Sequence, residues 1–218
     1  MDTGFWHERW ETQQIGFHEG QPNALLVEHA DCLALGAGMR VFVPLCGKSV
    51  DLRWLRERGA AVLGCELSPV AVKAFFDEQG LAPRHTHSGA FAHWEADDIA
   101  LLCGNFFDLS AAELAGCQSV YDRAALIALP ADMRRQYAAR LRELLTTGTR
   151  MLLITVEYPQ SEMSGPPFSV SMEEVHALFA GHADIRHLAS HERLENEPRF
   201  KQRGLTRLTE HAFCLVWH

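Results

Sequence analysis

The chain has 218 residues, 47% of them hydrophobic, which suits a single globular domain with an ordinary core. Its 20 basic and 28 acidic residues give a formal charge of −8 and form no basic run, so nucleic acid is not an expected partner and a small molecule is. No window has the length of a membrane span and the first residues have no leader-like apolar core, so a cytoplasmic protein, monomeric and without membrane contact, is expected.

At the N-terminus Trp6 and Trp10 lie four residues apart, on one face of a short helix. They read either as core anchors or as a cover over a ligand. Phe17 stacks on a planar ligand or plugs the core, and its neighbour His18 reads more simply as a structural histidine than as a base. Residues 22–35 carry Leu25, Leu26, His29 and Leu33 at helical spacing and end at Gly36. This helix is given no chemistry.

The stretch from Val41 to Leu55 organises the rest. Three apolar residues before Pro44 predict a buried strand, Leu45-Cys46-Gly47 a tight loop, and Ser49 ahead of Asp51, Leu52 and Leu55 a capped helix ending before Gly59. The unit then repeats. Residues 61–66 form a second apolar run closing on Glu66, and Ser68-Pro69 starts a helix that Gly80 stops. Strand and helix in alternation with short loops predict an α/β fold: one doubly wound, mostly parallel, seven-stranded sheet with an antiparallel edge strand.

In such sheets a ligand sits outside the carboxyl ends of the strands, here against Leu45, Gly47 and Glu66. Glu66 follows the loop by about twenty residues, the separation at which an acid accepts hydrogen bonds from ribose hydroxyls. A dinucleotide would also need its pyrophosphate cradled by G-x-G-x-x-G, and this loop has one glycine stiffened by Pro44. Gly47-Lys48-Ser49 is a poor P-loop, because Phe42 stands where the upstream glycine belongs. S-adenosylmethionine, a nucleoside without phosphates, fits better.

Residues 83–98 have no clear pattern. His85, His87 and His93 lack a carboxylate–histidine pair at helical spacing, so no metal is expected. Residues 99–103 are a strand candidate followed by Asn105 and Phe106. Ser119-Val120-Tyr121 gives the fourth strand, with Asp122 and Arg123 at its carboxyl end. Asp122 is the nearest candidate for a general base; Arg123 can form a bidentate pair with a carboxylate of the donor or of an acidic substrate, or a salt bridge with a neighbour.

The helix at 131–145 sets Met133, Tyr137, Leu141 and Leu144 on one face, with Arg134, Arg135, Arg140 and Arg142 as a solvated remainder. Residues 151–158 are a buried fifth strand that runs into Gly165-Pro166-Pro167-Phe168, a stiff loop in which Pro167 walls a substrate pocket or merely joins two elements. Ser171 and Glu174 form a capping box. Residues 185–194 and 205–217 close the chain as a hairpin-like strand pair. Arg199 and Arg203 in the loop between them reach the substrate or stay exposed. The six cysteines show no C-x-x-C pair, so neither disulfide nor zinc is expected.

Val43-Pro44-Leu45-Cys46-Gly47-Lys48-Ser49, Gly64-Cys65-Glu66-Leu67-Ser68, Asp122-Arg123-Ala124-Ala125-Leu126 and Gly165-Pro166-Pro167-Phe168 together resemble the thiopurine S-methyltransferase family. The resemblance spans most of the chain in order and implies an S-adenosyl-L-methionine-dependent methyltransferase with a Rossmann-like fold in one domain, 1–218. It also implies a lid at 1–20 with Trp10, and less firmly Trp6, against the methionine end of the donor, where a cation–π contact suits a sulfonium. Asn105 is implied at the adenine amine and Phe106 on its ring.

The acceptor so implied is the sulfur of a small aromatic or heterocyclic thiol, or selenium or tellurium. Methyl transfer in line to such a nucleophile needs alignment and desolvation and no covalent enzyme intermediate, so Cys46 is not expected to act as a nucleophile. Two alternatives stand beside it: a methyltransferase for oxygen or nitrogen acceptors, which needs a better base, and a nucleoside-binding sensor without catalysis.

Overall fold

The computed structural model describes residues 3–15 and 18–218 and falls into two compact units, Met1–Tyr121 and Asp122–His218. In the first, α1 (Thr3–Glu11) carries the tryptophans and lies against α4 (Pro69–Glu78), and α2 (Ala24–His29) is capped by Asn23, whose side chain accepts from the Leu25 and Leu26 amides. The helix expected at 22–35 is therefore shorter, its last turn tightening to a 3₁₀ segment at Ala30–Leu33. Then follow β1 (Arg40–Pro44), α3 (Asp51–Glu57), β2 (Ala61–Glu66) and α4. The cap expected from Ser49 is not formed: the N-cap of α3 is Val50, which gives no side-chain bond, and Ser49 stands one residue earlier with its hydroxyl accepting from the Asp51 amide at 3.2 Å. Ser68 caps α4 through the Ala71 amide.

The stretch without a clear pattern is a hairpin, β3 (Arg84–Ser88) and β4 (Phe91–Ala96), turned at Gly89 with its positive φ. β3 is exposed along its whole length, so no buried alternation marks it in the sequence. After it come β5 (Ile99–Cys103) and β6 (Ser119–Asp122). The strand order in this unit is β3-β4-β5-β2-β1-β6, with β5, β2, β1 and β6 parallel and β3 and β4 antiparallel. From β1 the chain winds one way to β2 and β5 and returns on the other side to β6. The switch point of the winding is thus at the carboxyl end of β1. Asp51 fastens this end from below: buried, it accepts from the Asn23 amide and from the Tyr121 hydroxyl, both at 2.9 Å.

The second unit begins at Asp122 and contains α5 (Ala125–Ala128), α6 (Ala131–Leu144), β7 (Arg150–Glu157), α7 (Met172–Phe179), β8 (Ala183–Glu192), α8 (Pro198–Gln202) and β9 (Thr209–Trp217). Its strands run β7-β9-β8, all antiparallel, as the expected hairpin-like close of the chain. The described strands number nine rather than seven; the excess comes from the β3–β4 hairpin. No described helix is long and apolar enough to cross a membrane.

Two sequence expectations are corrected here. Arg134 is not on a solvated face: it is 5% exposed, and its guanidinium grips both carboxylate oxygens of Glu174 at 2.7 and 3.0 Å while donating to the Leu129 carbonyl. Glu174 is thereby drawn away from the reciprocal half of the capping box, although its amide still donates to Ser171 Oγ. Cys46, Cys65, Cys103 and Cys117 are free thiols, but Cys32 and Cys214 are each in a disulfide, against the expectation of none.

Candidate active site

The loop after β1 turns sharply. Leu45 has φ +47 and Gly47 φ +54, and a left-handed leucine in a tight loop is the kind of strained residue that clusters at binding sites. The turn is held by Glu66 at the end of β2. Its side chain is 6% exposed, with Oε2 accepting from the Gly47 amide at 2.9 Å and Oε1 from the Ser68 amide at 2.7 Å. Burial pushes the Glu66 carboxyl above its usual range, and the bonds to the Ser68 and Gly47 amides act against that. The Leu67 amide acts on the same carboxylate, whose oxygens together have about four acceptor positions, so acceptor capacity is left over after these bonds. Glu66 is therefore a staple of the loop.

The space around the loop suits a nucleoside and not a diphosphate. At Gly64 an added Cβ would lie 2.5 Å from Leu101 and 2.7 Å from Cys46 Sγ, so the floor admits no side chain. Trp10 is buried, and its indole is 3.1 Å from where a Cβ on Gly47 would stand. It thus covers the loop from α1. Lys48, next to the loop glycine in sequence, is ion-paired with Glu78 at 2.5 Å. Cys46 is buried and its thiol pushed well up by burial, as is that of Cys65, which leaves both as protonated packing groups.

Asn105 and Phe106 follow β5, whose end is tied to β2 by the Gly104 amide donating to the Glu66 carbonyl at 2.9 Å. Asn105 caps a 3₁₀ turn by accepting from the Phe107 amide at 3.2 Å, which leaves its side-chain amide as a donor. Phe106 is 4% exposed and stacked on Phe42, ring centroids 6.4 Å apart. Trp6 is half-buried on α1 and packed edge-on against Phe5. Phe17 lies outside the described residues. Trp10, Leu45, Glu66 and Asn105 with Phe106 thus all belong to the first unit, most of them on strand ends or loops at one sheet edge.

In the second unit Asp122 is fully buried. Oδ1 accepts from the amides of Ala125 and Leu126 at 2.9 and 3.3 Å, capping α5, and Oδ2 accepts from the Tyr137 hydroxyl at 2.7 Å. Burial pushes its carboxyl up to about 6 despite these three donors. The half-buried Arg123 follows it. Beside α5 stands the proline loop: the Phe168 amide donates to the Ile127 carbonyl at 2.7 Å, so Pro167 is brought next to the Asp122-Arg123 element. Arg203 and Arg199 are exposed on or just after α8; Arg199 pairs with Glu197 at 3.0 Å and lies over the Phe200 ring. The charge of Arg203 is close enough to Tyr158 to act on its phenol.

No spacing or motif pointed to the side chains that hold the proline loop, Tyr158 and Gln160. The first closes a buried strand and the second opens a turn. His85 and His87 are exposed on β3, and His85 lies against Trp94; no group of three metal-ligating side chains occurs among the described residues.

The family model described as Thiopurine S-methyltransferase (TPMT) matches residues 1–216. A protein from Nitrosospira multiformis named thiopurine S-methyltransferase is 51% identical over 216 residues, covering 99% of this chain and 98% of its own. One of the same name from Xanthomonas campestris pv. campestris is 47% identical over 215 residues, covering 99% of each. Among solved structures, a SAM-dependent methyltransferase from Anabaena variabilis superposes with a TM-score of 0.67 at 14% identity, over 99% of this chain and 95% of that one. The 1,6-didemethyltoxoflavin-N1-methyltransferase of Burkholderia thailandensis, with S-adenosylhomocysteine bound, gives 0.62 at 16% identity over 99% and 87%. Both likenesses confirm the expected fold class.

Proposed function

Because the chain belongs to the thiopurine S-methyltransferase family, we propose that it transfers the methyl group of S-adenosyl-L-methionine to the sulfur of a small aromatic or heterocyclic thiol such as a thiopurine. A selenol or tellurol presents the same soft lone pair and belongs to the same acceptor class. The bound donor supplies an electrophilic sulfonium methyl. This chain's residues bind and orient: Glu66 offers its remaining acceptor capacity to the ribose hydroxyls, Asn105 its amide to the adenine edge beside Phe106, and Leu45 the floor of the turn. Trp10, with Trp6 behind it, covers the methionine end as part of a lid at residues 1–20. Arg123 takes a carboxylate of the donor or of an acidic acceptor, and Phe17, Pro167, Arg199 and Arg203 are assigned to binding the acceptor. The enzyme works as a cytoplasmic monomer, and blunting reactive thiols by methylation suits a detoxifying role.

The observation that favours sulfur over oxygen or nitrogen is Asp122. The carboxylate proposed as a general base is committed to three donors from its own scaffold. An alcohol or amine needs its proton removed as it reacts, whereas a heteroaromatic thiol arrives partly ionised. Incubating the protein with methyl-labelled donor and 6-mercaptopurine, then locating the label by mass spectrometry, tests the proposal. Label on sulfur is expected. Label on ring nitrogen makes it a methyltransferase of the other kind, and donor binding without turnover on any thiol or selenol makes it a sensor.

A further inference from the structure

Pro166 and Pro167 have no amide hydrogen, so this wall has few donors of its own, the Phe168 amide on the Ile127 carbonyl among them. The Pro167 carbonyl is gripped by a donor from elsewhere. The Tyr158 hydroxyl, one residue past β7, donates to the Pro167 carbonyl at 2.6 Å. Gln160 works from the other side: Nε2 donates to the Met163 carbonyl at 2.5 Å and to the Tyr158 oxygen at 3.2 Å, and Oε1 accepts from the Ser169 amide at 3.0 Å. Ser169 closes the circuit by accepting from the Tyr158 amide at 3.0 Å. Beneath it, the Tyr158 ring is 3% exposed and packs with Met163, Leu194, Phe200, Leu205 and Leu208 in a small core of its own. Above it, Phe168 folds over Gly165 so closely that a Cβ there would lie 2.6 Å from the ring. Pro166, Pro167 and Phe168 stay half-exposed, as a wall facing a ligand must.

We propose that Tyr158 and Gln160 are positioning residues that clamp the Gly165-Pro166-Pro167-Phe168 wall and thereby set the affinity for a planar heteroaromatic acceptor. The inference rests on reading that wall as part of the acceptor pocket. The hydrogen bonds given for both side chains stay within the second unit, so the clamp is expected to act on the acceptor side. Tyr158→Phe removes the hydroxyl and keeps the ring in its small core; Gln160→Leu removes the other grip at an exposed position where folding is not at stake.

In steady-state assays with 6-mercaptopurine each variant raises the acceptor KM about five- to tenfold, the scale of one lost hydrogen bond. The same variants leave kcat within threefold and the affinity for adenosylhomocysteine within twofold. An unchanged KM in both variants overturns the proposal, as does a parallel fall of kcat and donor affinity. Hydrogen exchange at the Phe168 and Ser169 amides reads the clamp without any turnover, and faster exchange in Tyr158→Phe is expected. Should wild-type protein methylate no thiol, the functional reading falls, and that exchange experiment still decides the clamp: unchanged protection refutes it.

Discussion

Glu66→Gln separates the two duties of the buried acid. In the native fold both oxygens face backbone N–H groups, those of Gly47 and Ser68. An amide has one oxygen, so its NH₂ must point at one of these donors. Leaving that N–H without an acceptor costs about 1–3 kcal/mol of stability. Against this, burial disfavours the charge, as the raised Glu66 carboxyl shows, and removing the charge returns part of the loss. The ribose hydroxyls gain nothing back. They lose a charged acceptor, and hydrogen bonds to charged groups contribute about 1.5–3 kcal/mol, or roughly 10- to 100-fold in affinity. The variant is therefore expected to lose more in donor binding than in stability. Calorimetric titration with adenosylhomocysteine beside a thermal unfolding curve reads both. If Glu66→Gln unfolds earlier but binds the nucleoside within twofold of wild type, the acid is a loop staple alone and the ribose assignment is wrong.

Other expectations follow from particular contacts. Asp122→Asn keeps an oxygen for the α5 amides, and the Tyr137 hydroxyl can turn to accept, so it should fold at pH 7.5 and retain at least a third of its thiol methylation; loss of activity would favour an oxygen or nitrogen acceptor. Because burial lifts the Asp122 carboxyl to about 6, its contribution to stability is fully present below about pH 4 and is lost as pH rises through 6. The whole loss is about 3 kcal/mol, of which about 1.4 kcal/mol falls between pH 5 and pH 7.5, so urea unfolding at those two pH values should show wild type losing more stability than Asp122→Asn, and equal losses would refute it. Arg134→Met leaves Glu174 without its partner and should cost about 2–4 kcal/mol in urea unfolding, with Arg134→Met/Glu174→Gln recovering at least half; no recovery would mean the pair is not coupled. Gly64→Ala forces a methyl to within 2.5 Å of Leu101 and 2.7 Å of Cys46, so it should cost about 1–3 kcal/mol and weaken adenosylhomocysteine binding severalfold in the same titration, an effect that unchanged binding would contradict.

What the sequence made legible was local. β1 and β2 announced themselves as apolar runs before a turn, α4 by Ser68-Pro69, and Glu66 by its distance from the loop, and all stand where these signals put them. The hairpin of β3 and β4 escaped because an exposed edge needs no hydrophobic alternation. Arg134 escaped for a different reason. Its helical position looked like any solvated arginine, and only Glu174, forty residues on, makes burial affordable. Tyr158 and Gln160 answer donors and acceptors of a loop that prolines have stripped of amides, and such pairings leave no spacing to read. Asp122 was legible as a carboxylate at the carboxyl end of a strand, but its three scaffold donors were not.

The most direct measurement is a competition titration on the wild-type chain. With adenosylhomocysteine bound, excess NADH should displace none of it, and NADH alone should give no binding isotherm, because a turn with one glycine and a lysine already paired to Glu78 has nothing to hold a diphosphate. Saturable NADH binding that adenosylhomocysteine cannot displace would contradict the account.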